Sequence, residues 1–143
     1  MSAAPLRLVV AGASGRMGRM LIEAITQAPD CALVGALEHS QSPALGSDAG
    51  AFAGLNTGVT IQADVAAALQ GADCLIDFTR PEGTVAHAAV AAQAGVAMVI
   101  GTTGFDDQQK AAIAQAATRV GVVMAPNMSV GVNVTLKLLE TAA

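Results

Sequence analysis

The 143-residue chain has no tryptophan and no tyrosine, and three phenylalanines make its aromatic share only 2%. Without a phenol, any mechanism that rests on a tyrosine acid or base is excluded. Charge is equally scarce: 13% of residues are Asp, Glu, Lys or Arg, about half the share of an ordinary globular chain. Seven basic residues against eleven acidic ones leave a net charge of −4. No basic cluster is available to hold a polyphosphate backbone, and no aromatics offer bases a stacking surface, which argues against a nucleic-acid partner. Gly, Pro or a charge interrupts every apolar run before the roughly 18–20 residues that a membrane span needs. The start, Met1-Ser2-Ala3-Ala4-Pro5, lacks the basic residues and apolar stretch of a signal peptide, and Cys31 and Cys74 fit reduced core thiols. Both features point to the cytoplasm.

What is abundant is small and apolar. Hydrophobic residues make up 53% of the chain, enough at this length for one domain with a core of its own. Short Val, Ile and Leu runs alternate with Ala-rich segments of helical period, the signature of βαβ units around a parallel sheet. Strands are expected at residues 6–11, 32–37, 59–62, 74–77, 97–100 and 121–125. The first helix is expected at 16–27, with Met17, Leu21, Ala24, Ile25 and Ala28 as its apolar positions. A short helix follows Asp64 as N-cap and runs to Leu69. Another is opened by Pro81 and Glu82 and closed by Gly95 after residue 94. A fourth starts at Asp106 and Asp107 and runs to about Arg119, and a last one covers 134–142. Residues 39–58, rich in Gly and Ser and without sustained period, read as a long loop of the functional or mobile kind. There is no internal repeat.

The strongest local signal is Gly12-Ala13-Ser14-Gly15-Arg16-Met17-Gly18, set between the first expected strand and helix. Gly12 permits a sharp turn, Gly15 lets backbone approach a pyrophosphate, and Gly18 lets the helix pack closely on the sheet. The helix N-terminus then aims free N–H groups and the positive end of its dipole at the phosphates. The spacing is GxxGxxG rather than GxGxxG, a weak pattern alone, but Glu38 at the end of the second strand is placed to accept ribose hydroxyls. The expected fold is therefore α/β, a Rossmann-type doubly wound, mostly parallel sheet with helices on both faces.

Five motifs in order carry a closer likeness. They are Val10 through Gly18, Leu45-Gly46-Ser47-Asp48-Ala49-Gly50, Asp77-Phe78-Thr79-Arg80-Pro81-Glu82-Gly83-Thr84, Ile100-Gly101-Thr102-Thr103-Gly104-Phe105, and Ala125-Pro126-Asn127-Met128-Ser129-Val130-Gly131-Val132-Asn133. Together they resemble the N-terminal half of the bacterial 4-hydroxy-tetrahydrodipicolinate reductases, also called dihydrodipicolinate reductases, of lysine and diaminopimelate biosynthesis. The resemblance implies that Gly12, Ala13, Ser14, Gly15, Arg16 and Met17 wrap the pyrophosphate of NADH or NADPH and that Glu38 holds the adenosine ribose. It also implies that Gly101, Thr102 and Thr103, with Ala125, Pro126, Asn127 and Met128, line the nicotinamide end. Both groups follow C-terminal ends of expected strands. Their backbone and hydroxyls suit a carboxamide, and Met128 could offer the ring an apolar face.

In that family the residue after the ribose carboxylate is commonly Arg, which clamps a 2′-phosphate. Here it is His39, a poorer phosphate partner, while Arg16 remains available. NADH is accordingly expected to bind at least as well as NADPH. The family's substrate domain is marked by an E-x-H-H-x-x-K run followed by D-A-P-S-G-T, and neither is present. The resemblance thus implies no catalytic residue in this chain. It implies that residues 1–128 are the dinucleotide-binding domain and that 129–143 start the connection to an absent C-terminal substrate and tetramerisation domain. The full-length enzyme, acting on a small-molecule substrate, would be a homotetramer, and this half would be monomeric or weakly associated. A non-catalytic nucleotide- or CoA-binding domain of the same fold is the alternative.

The remaining candidates have plainer readings. His87, in an Ala-rich helix with no Cys, Asp or Glu at ligand spacing, reads as structural or solvent-facing, and no metal site is expected. Glu82 has a helix-start explanation, Arg80 could face the cleft, and the Met residues outside the two loops read mostly as core filler.

Overall fold

The computed structural model describes residues 4–142; Met1, Ser2 and Ala3 of the chain start, and Ala143, lie outside them. Six strands form one sheet: β1 (Leu6–Ala11), β2 (Cys31–Leu37), β3 (Ile61–Gln62), β4 (Cys74–Asp77), β5 (Ala97–Ile100) and β6 (Val122–Met124). Their order is β3-β2-β1-β4-β5-β6, and every pairing within the sheet is parallel. The chain starts in the middle of the sheet, builds one half outward, crosses back and builds the other. This is the doubly wound order in which ligands sit where the winding reverses, beyond the C-terminal ends of the strands.

β1 shows why its sequence makes a central strand. Leu8 and Val10 face one apolar layer and Val9 and Ala11 the other, as period-2 alternation between two covered faces requires. On the first face lie α1 (Arg16–Gln27) and the excursion between β2 and β3. On the second lie α2 (Val65–Ala68), α3 (Pro81–Ala94) and α4 (Asp107–Ala116), packed through Ala68, Ala88, Ala91, Ala92, Ile113 and Ala116. Alanines at these contacts let the helices sit close to the sheet.

The helix α1 turns inward a face that only partly matches the one its periodicity suggested: Ile25 is buried and Ala28 half-buried as expected, but others of the five positions are not. Gly18, Ile22 and Ile25 are buried, Leu21 is half-buried, and Met17 and Ala24 are exposed. The helix is rotated because Gly18 lies on the Gly12 carbonyl, where a Cβ would collide with the oxygen, and that contact brings Ile22 and Ile25 beneath. Of the described methionines outside the two loops, Met98 is core, but Met20 and Met124 are exposed and are not the filler expected.

Residues 39–58 are more structured than a plain loop. They contain a 3₁₀ turn, Ala51–Ala53, and Asp48 gathers them: its Oδ1 accepts from the N–H of Gly50 (2.8 Å) and from both the N–H (3.1 Å) and hydroxyl (2.9 Å) of Thr57, and its Oδ2 from the N–H of Gly58 (2.8 Å). An antiparallel bridge joins Asp48 to Thr60, which leaves only residues 61–62 for the third strand. At the other end, α4 stops at Ala116. The helix α5 (Val130–Ala142) begins before Val134, with the Ser129 hydroxyl accepting from the Val132 N–H at its start (3.4 Å).

At the N-terminal ends of the two central strands, Arg7 and Asp73 pair through Nε to Oδ2 (3.1 Å) and Nη2 to Oδ1 (2.7 Å). The Arg7 backbone N–H also donates to Oδ2 (2.8 Å). The pair holds the Asp73 carboxyl down at about 2. A carboxyl depressed on folding contributes stability above its unfolded value, about 3.9, and loses it as pH falls toward 2. In melts between pH 5 and 2, the stability gap between the wild type and Asp73→Asn therefore narrows as the pH drops. The Gly18 contact makes a second prediction. Alanine normally gains about 1 kcal/mol over glycine inside a helix, yet Gly18→Ala is expected to lose about 2 kcal/mol in chemical denaturation, because the overpacked turn must shift.

Candidate nucleotide-binding site

Because the strands run parallel, the loops after β1, β2, β4, β5 and β6 meet along one edge of the sheet. The turn after β1 is anchored to β2: the N–H groups of Gly12 and Ala13 donate to the Leu37 carbonyl (2.9 and 3.0 Å), and that of Gly15 donates back to Gly12 (3.0 Å). Gly12 has φ +72°, in the left-handed region that a side chain disfavours. Gly15 is the N-cap of α1 and offers no side-chain cap. The N–H groups of Arg16 and Met17 accordingly meet no acceptor among the described residues. The helices α2 and α4 are capped by Asp64 and Asp106, whereas α1 and α3 carry no side-chain cap. The two uncapped starts border the same cleft, of about 930 Å³, within the size range of small-molecule sites.

Its walls are the glycine turn, the end of β2 with Glu38, His39 and Ser40, and the start of α3 with Phe78, Thr79, Arg80, Glu82, Gly83 and His87. Ser14 reaches across to Glu38 with both its N–H (2.9 Å) and its hydroxyl (2.6 Å) on Oε1. The His39 N–H lies 3.3 Å from Oε2, and the residue is exposed. Ala13 is buried beneath the turn, and Arg16 and Met17 stand exposed on the helix start. Arg80 lines the cleft; Glu82 does so too, but makes no capping bond and acts on the helix start only through its charge.

Asp77, at the end of β4, is a fully buried carboxylate. Its Oδ1 accepts the N–H (2.9 Å) and hydroxyl (2.7 Å) of Thr79. The Thr84 hydroxyl lies 3.1 Å from the same oxygen and 2.9 Å from that of Thr102, which closes the ring at 3.4 Å. Oδ2 meets His87 Nδ1 at 2.7 Å. Burial pushes the Asp77 carboxyl up, but the bonds from His87 and Thr79 outweigh it and hold it below the usual range. A carboxylate only accepts, so His87 carries its proton on Nδ1, and Nε2 is the acceptor of the neutral ring.

Of the two roles expected for His87, the structural one holds and the solvent-facing one does not. Its partner, ten residues away on a strand end, was not named by the sequence; the available signal was a Thr-x-x-His pair, Thr84 and His87, on one face of an otherwise Ala-rich helix. Thr102 also departs from expectation: its hydroxyl is turned inward to Asp77 and Thr84 and is not free for a carboxamide. Gly101 is glycine for a packing reason, since a Cβ there would collide with the Phe78 ring. Asn127 is likewise engaged, its Oδ1 accepting from the Ser129 N–H (2.8 Å) and its carbonyl from Asn133 Nδ2 (3.2 Å). Gly101, Thr102 and Thr103, with Ala125 to Met128, lie at the β5 and β6 end of the same edge and do not line the cleft. Among the described residues no group of three or more His, Cys, Asp or Glu could hold a metal, and no helix is long and apolar enough to cross a membrane. Burial raises both thiols, Cys31 and Cys74, and each is half-buried.

A family model described as dihydrodipicolinate reductase, N-terminus, matches residues 6–128. The chain belongs to the dihydrodipicolinate reductase family. The 4-hydroxy-tetrahydrodipicolinate reductase of Cupriavidus pinatubonensis is 64% identical over 138 residues, covering 96% of this chain and 52% of that protein. That of Burkholderia ambifaria is 61% identical over the same shares. A dipicolinate-bound dihydrodipicolinate reductase from Paenisporosarcina sp. TG-14 superposes with a TM-score of 0.78 at 26% identity, over 97% of this chain and 54% of that one. The chain spans about half the length of the curated relatives it matches.

The Asp77 cluster carries a prediction about stability. Asp77→Ala removes the buried acceptor that three hydroxyls and an imidazole converge on, and is expected to cost about 3 kcal/mol in urea denaturation. Asp77→Asn, which keeps an acceptor oxygen, is expected to cost less.

Proposed function

We propose that this chain is the NAD(P)H-binding part of a 4-hydroxy-tetrahydrodipicolinate reductase. The observation that carries the reading is the placement of the Glu38 carboxylate across the glycine turn from the uncapped start of α1. A dinucleotide needs both features within one cleft: N–H donors and a helix dipole for its pyrophosphate, and a carboxylate for its adenosine ribose. The residues present fit such a group. Gly15 keeps the cradle open, Glu38 has Oε2 available, and the cleft accommodates the adenosine half.

When bound, the cofactor supplies a hydride, which the whole enzyme delivers to the cyclic imine formed on loss of water from 4-hydroxy-tetrahydrodipicolinate, giving tetrahydrodipicolinate. This chain's own residues bind and orient. Arg16 and Met17 offer N–H groups to the pyrophosphate, Glu38 accepts from the ribose, and Gly101, Thr103 and the backbone of residues 125–128 border the nicotinamide. Residues 129–143 lead toward a substrate and tetramerisation domain, and the apolar residues exposed along α5, Leu136, Leu138 and Leu139 among them, support that reading. The catalytic acid belongs to that other half, and the whole enzyme is a cytoplasmic homotetramer.

His39 and Glu38 also bear on the choice of cofactor. A 2′-phosphate would bring a second anion to Glu38, with a histidine beside it rather than a guanidinium. Titration calorimetry on this chain is expected to show NADH and NADPH binding, with NADPH no more than tenfold tighter, and no binding of CoA. Glu38→Ala should weaken NADH roughly tenfold. No NADH is oxidised when substrate is added. Binding of CoA in place of either dinucleotide would overturn the assignment.

A further inference from the structure

Ser14 is placed in the glycine turn, where backbone donors are expected to point at phosphate, yet none of its polar groups does. Its N–H and its hydroxyl both end on Glu38 Oε1, at 2.9 and 2.6 Å. Its carbonyl accepts from Arg19 Nε at 2.9 Å. The Arg19 guanidinium in turn lies over the Phe52 ring, 5.4 Å from its centre. Ser14 is therefore held from both sides, by a side chain of α1 braced on the excursion after β2 and by the carboxylate at the tip of β2.

The two bonds are unequal in what they fix. The N–H would reach Glu38 whatever residue stood at 14, because it is backbone. The hydroxyl bond is short and charge-assisted, the strong kind, and it exists only because residue 14 is serine. Together they occupy Oε1 and direct Oε2, which receives only the 3.3 Å contact from the His39 N–H, toward the open cleft. We propose that Ser14 is a positioning residue for Glu38, and that its hydroxyl sets the preference between an unphosphorylated and a phosphorylated ribose. With the hydroxyl in place, the carboxylate cannot swing aside: it is aligned for ribose hydroxyls and stands where a 2′-phosphate would have to come. Without the hydroxyl, the carboxylate regains rotamer freedom, loses alignment toward the ribose, and can move away from a second anion. The inference rests on the reading that Glu38 meets the ribose, and it assigns Ser14 to the ribose end rather than to the pyrophosphate.

The test is calorimetric titration of NADH and NADPH into the wild type, Ser14→Ala and Ser14→Thr, with thermal melts of each to confirm folding. Ser14→Ala is expected to bind NADH about five- to tenfold more weakly while NADPH changes little or tightens. The ratio of the two constants then shifts at least about fivefold toward NADPH. Ser14→Thr, which keeps a hydroxyl, restores the wild-type ratio. Both cofactors carry the same pyrophosphate, so a serine that only shaped the turn or held phosphate would weaken them equally. An unchanged ratio in Ser14→Ala therefore overturns the proposal, as does failure of Ser14→Thr to rescue it. If Ser14→Ala does not melt cooperatively, Ser14→Gly, which suits any turn, is read in its place by the same criterion. If the wild type binds neither dinucleotide, the assignment of the cleft falls and this inference with it. If it binds and the ratio stays fixed, only this inference falls.

Discussion

The organising constraint of this structure is the contact between the start of α1 and the turn that leads into it. Gly18 lies against the Gly12 carbonyl so closely that no side chain fits between them. Everything around the cleft depends on that approach. It forces the Gly12 turn to be tight, and it sets α1 so that Ile22 and Ile25 enter the core while Met17 and Ala24 stay exposed. It also brings the helix start forward with its first N–H groups uncapped. A looser packing would leave room for a larger residue at 18 and would move the donors away from the sheet edge.

Two carboxylates at strand ends then build the walls of the cleft by the same physical means. Glu38, at the tip of β2, is held by the N–H and hydroxyl of Ser14. Asp77, at the tip of β4, is held by threonine hydroxyls and the imidazole of His87. They differ in burial. Asp77 is sealed and shares its ring of hydroxyls with Thr102, so it joins the loops after β4 and β5 and fixes the tautomer of His87. Glu38 is only half-buried and keeps one oxygen toward the cleft, which is why one carboxylate organises the scaffold and the other is available to a ligand. An anionic group serves both purposes because each is met by enough donors to offset its desolvation.

The scarcity of charge and aromatic residues has a structural counterpart. On one face of the sheet the helix contacts are made largely by alanine, and the ion pairs away from the cleft are Arg7–Asp73 at the N-terminal ends of β1 and β4 and Lys110–Asp107 and Lys137–Glu140 on exposed helices. The β6 and α5 region is different in character: Val123, Met124, Val130, Leu138 and Leu139 are exposed. The chain covers about half the length of its curated relatives, and the matched family region stops at residue 128.

Strand and helix identities were readable from short-range pattern, since alternation on a doubly covered sheet and caps such as Asp64, Asp106 and Gly95 are local properties. So was the glycine turn and its carboxylate at Glu38, because turn, helix start and strand end follow one another within a single βαβ unit. The face that α1 turns inward was readable only in part: Ile25 and the close approach of Gly18 were, but the exposure of Met17 and Ala24 follows from where that backbone contact sets the helix. The order in the excursion at residues 39–58 was not readable, because Asp48 imposes it by reaching residues nine and ten positions away. The role of His87, the inward turn of the Thr102 hydroxyl and the tie from Ser14 to Glu38 lay equally beyond it. His87 and Asp77 belong to one β4–α3 unit and meet through the packing of that helix on the sheet, whereas the Thr102 and Ser14 ties join groups that follow different strands, and which strand ends become neighbours is settled by the order of the sheet, a long-range packing outcome that no local run of residues encodes.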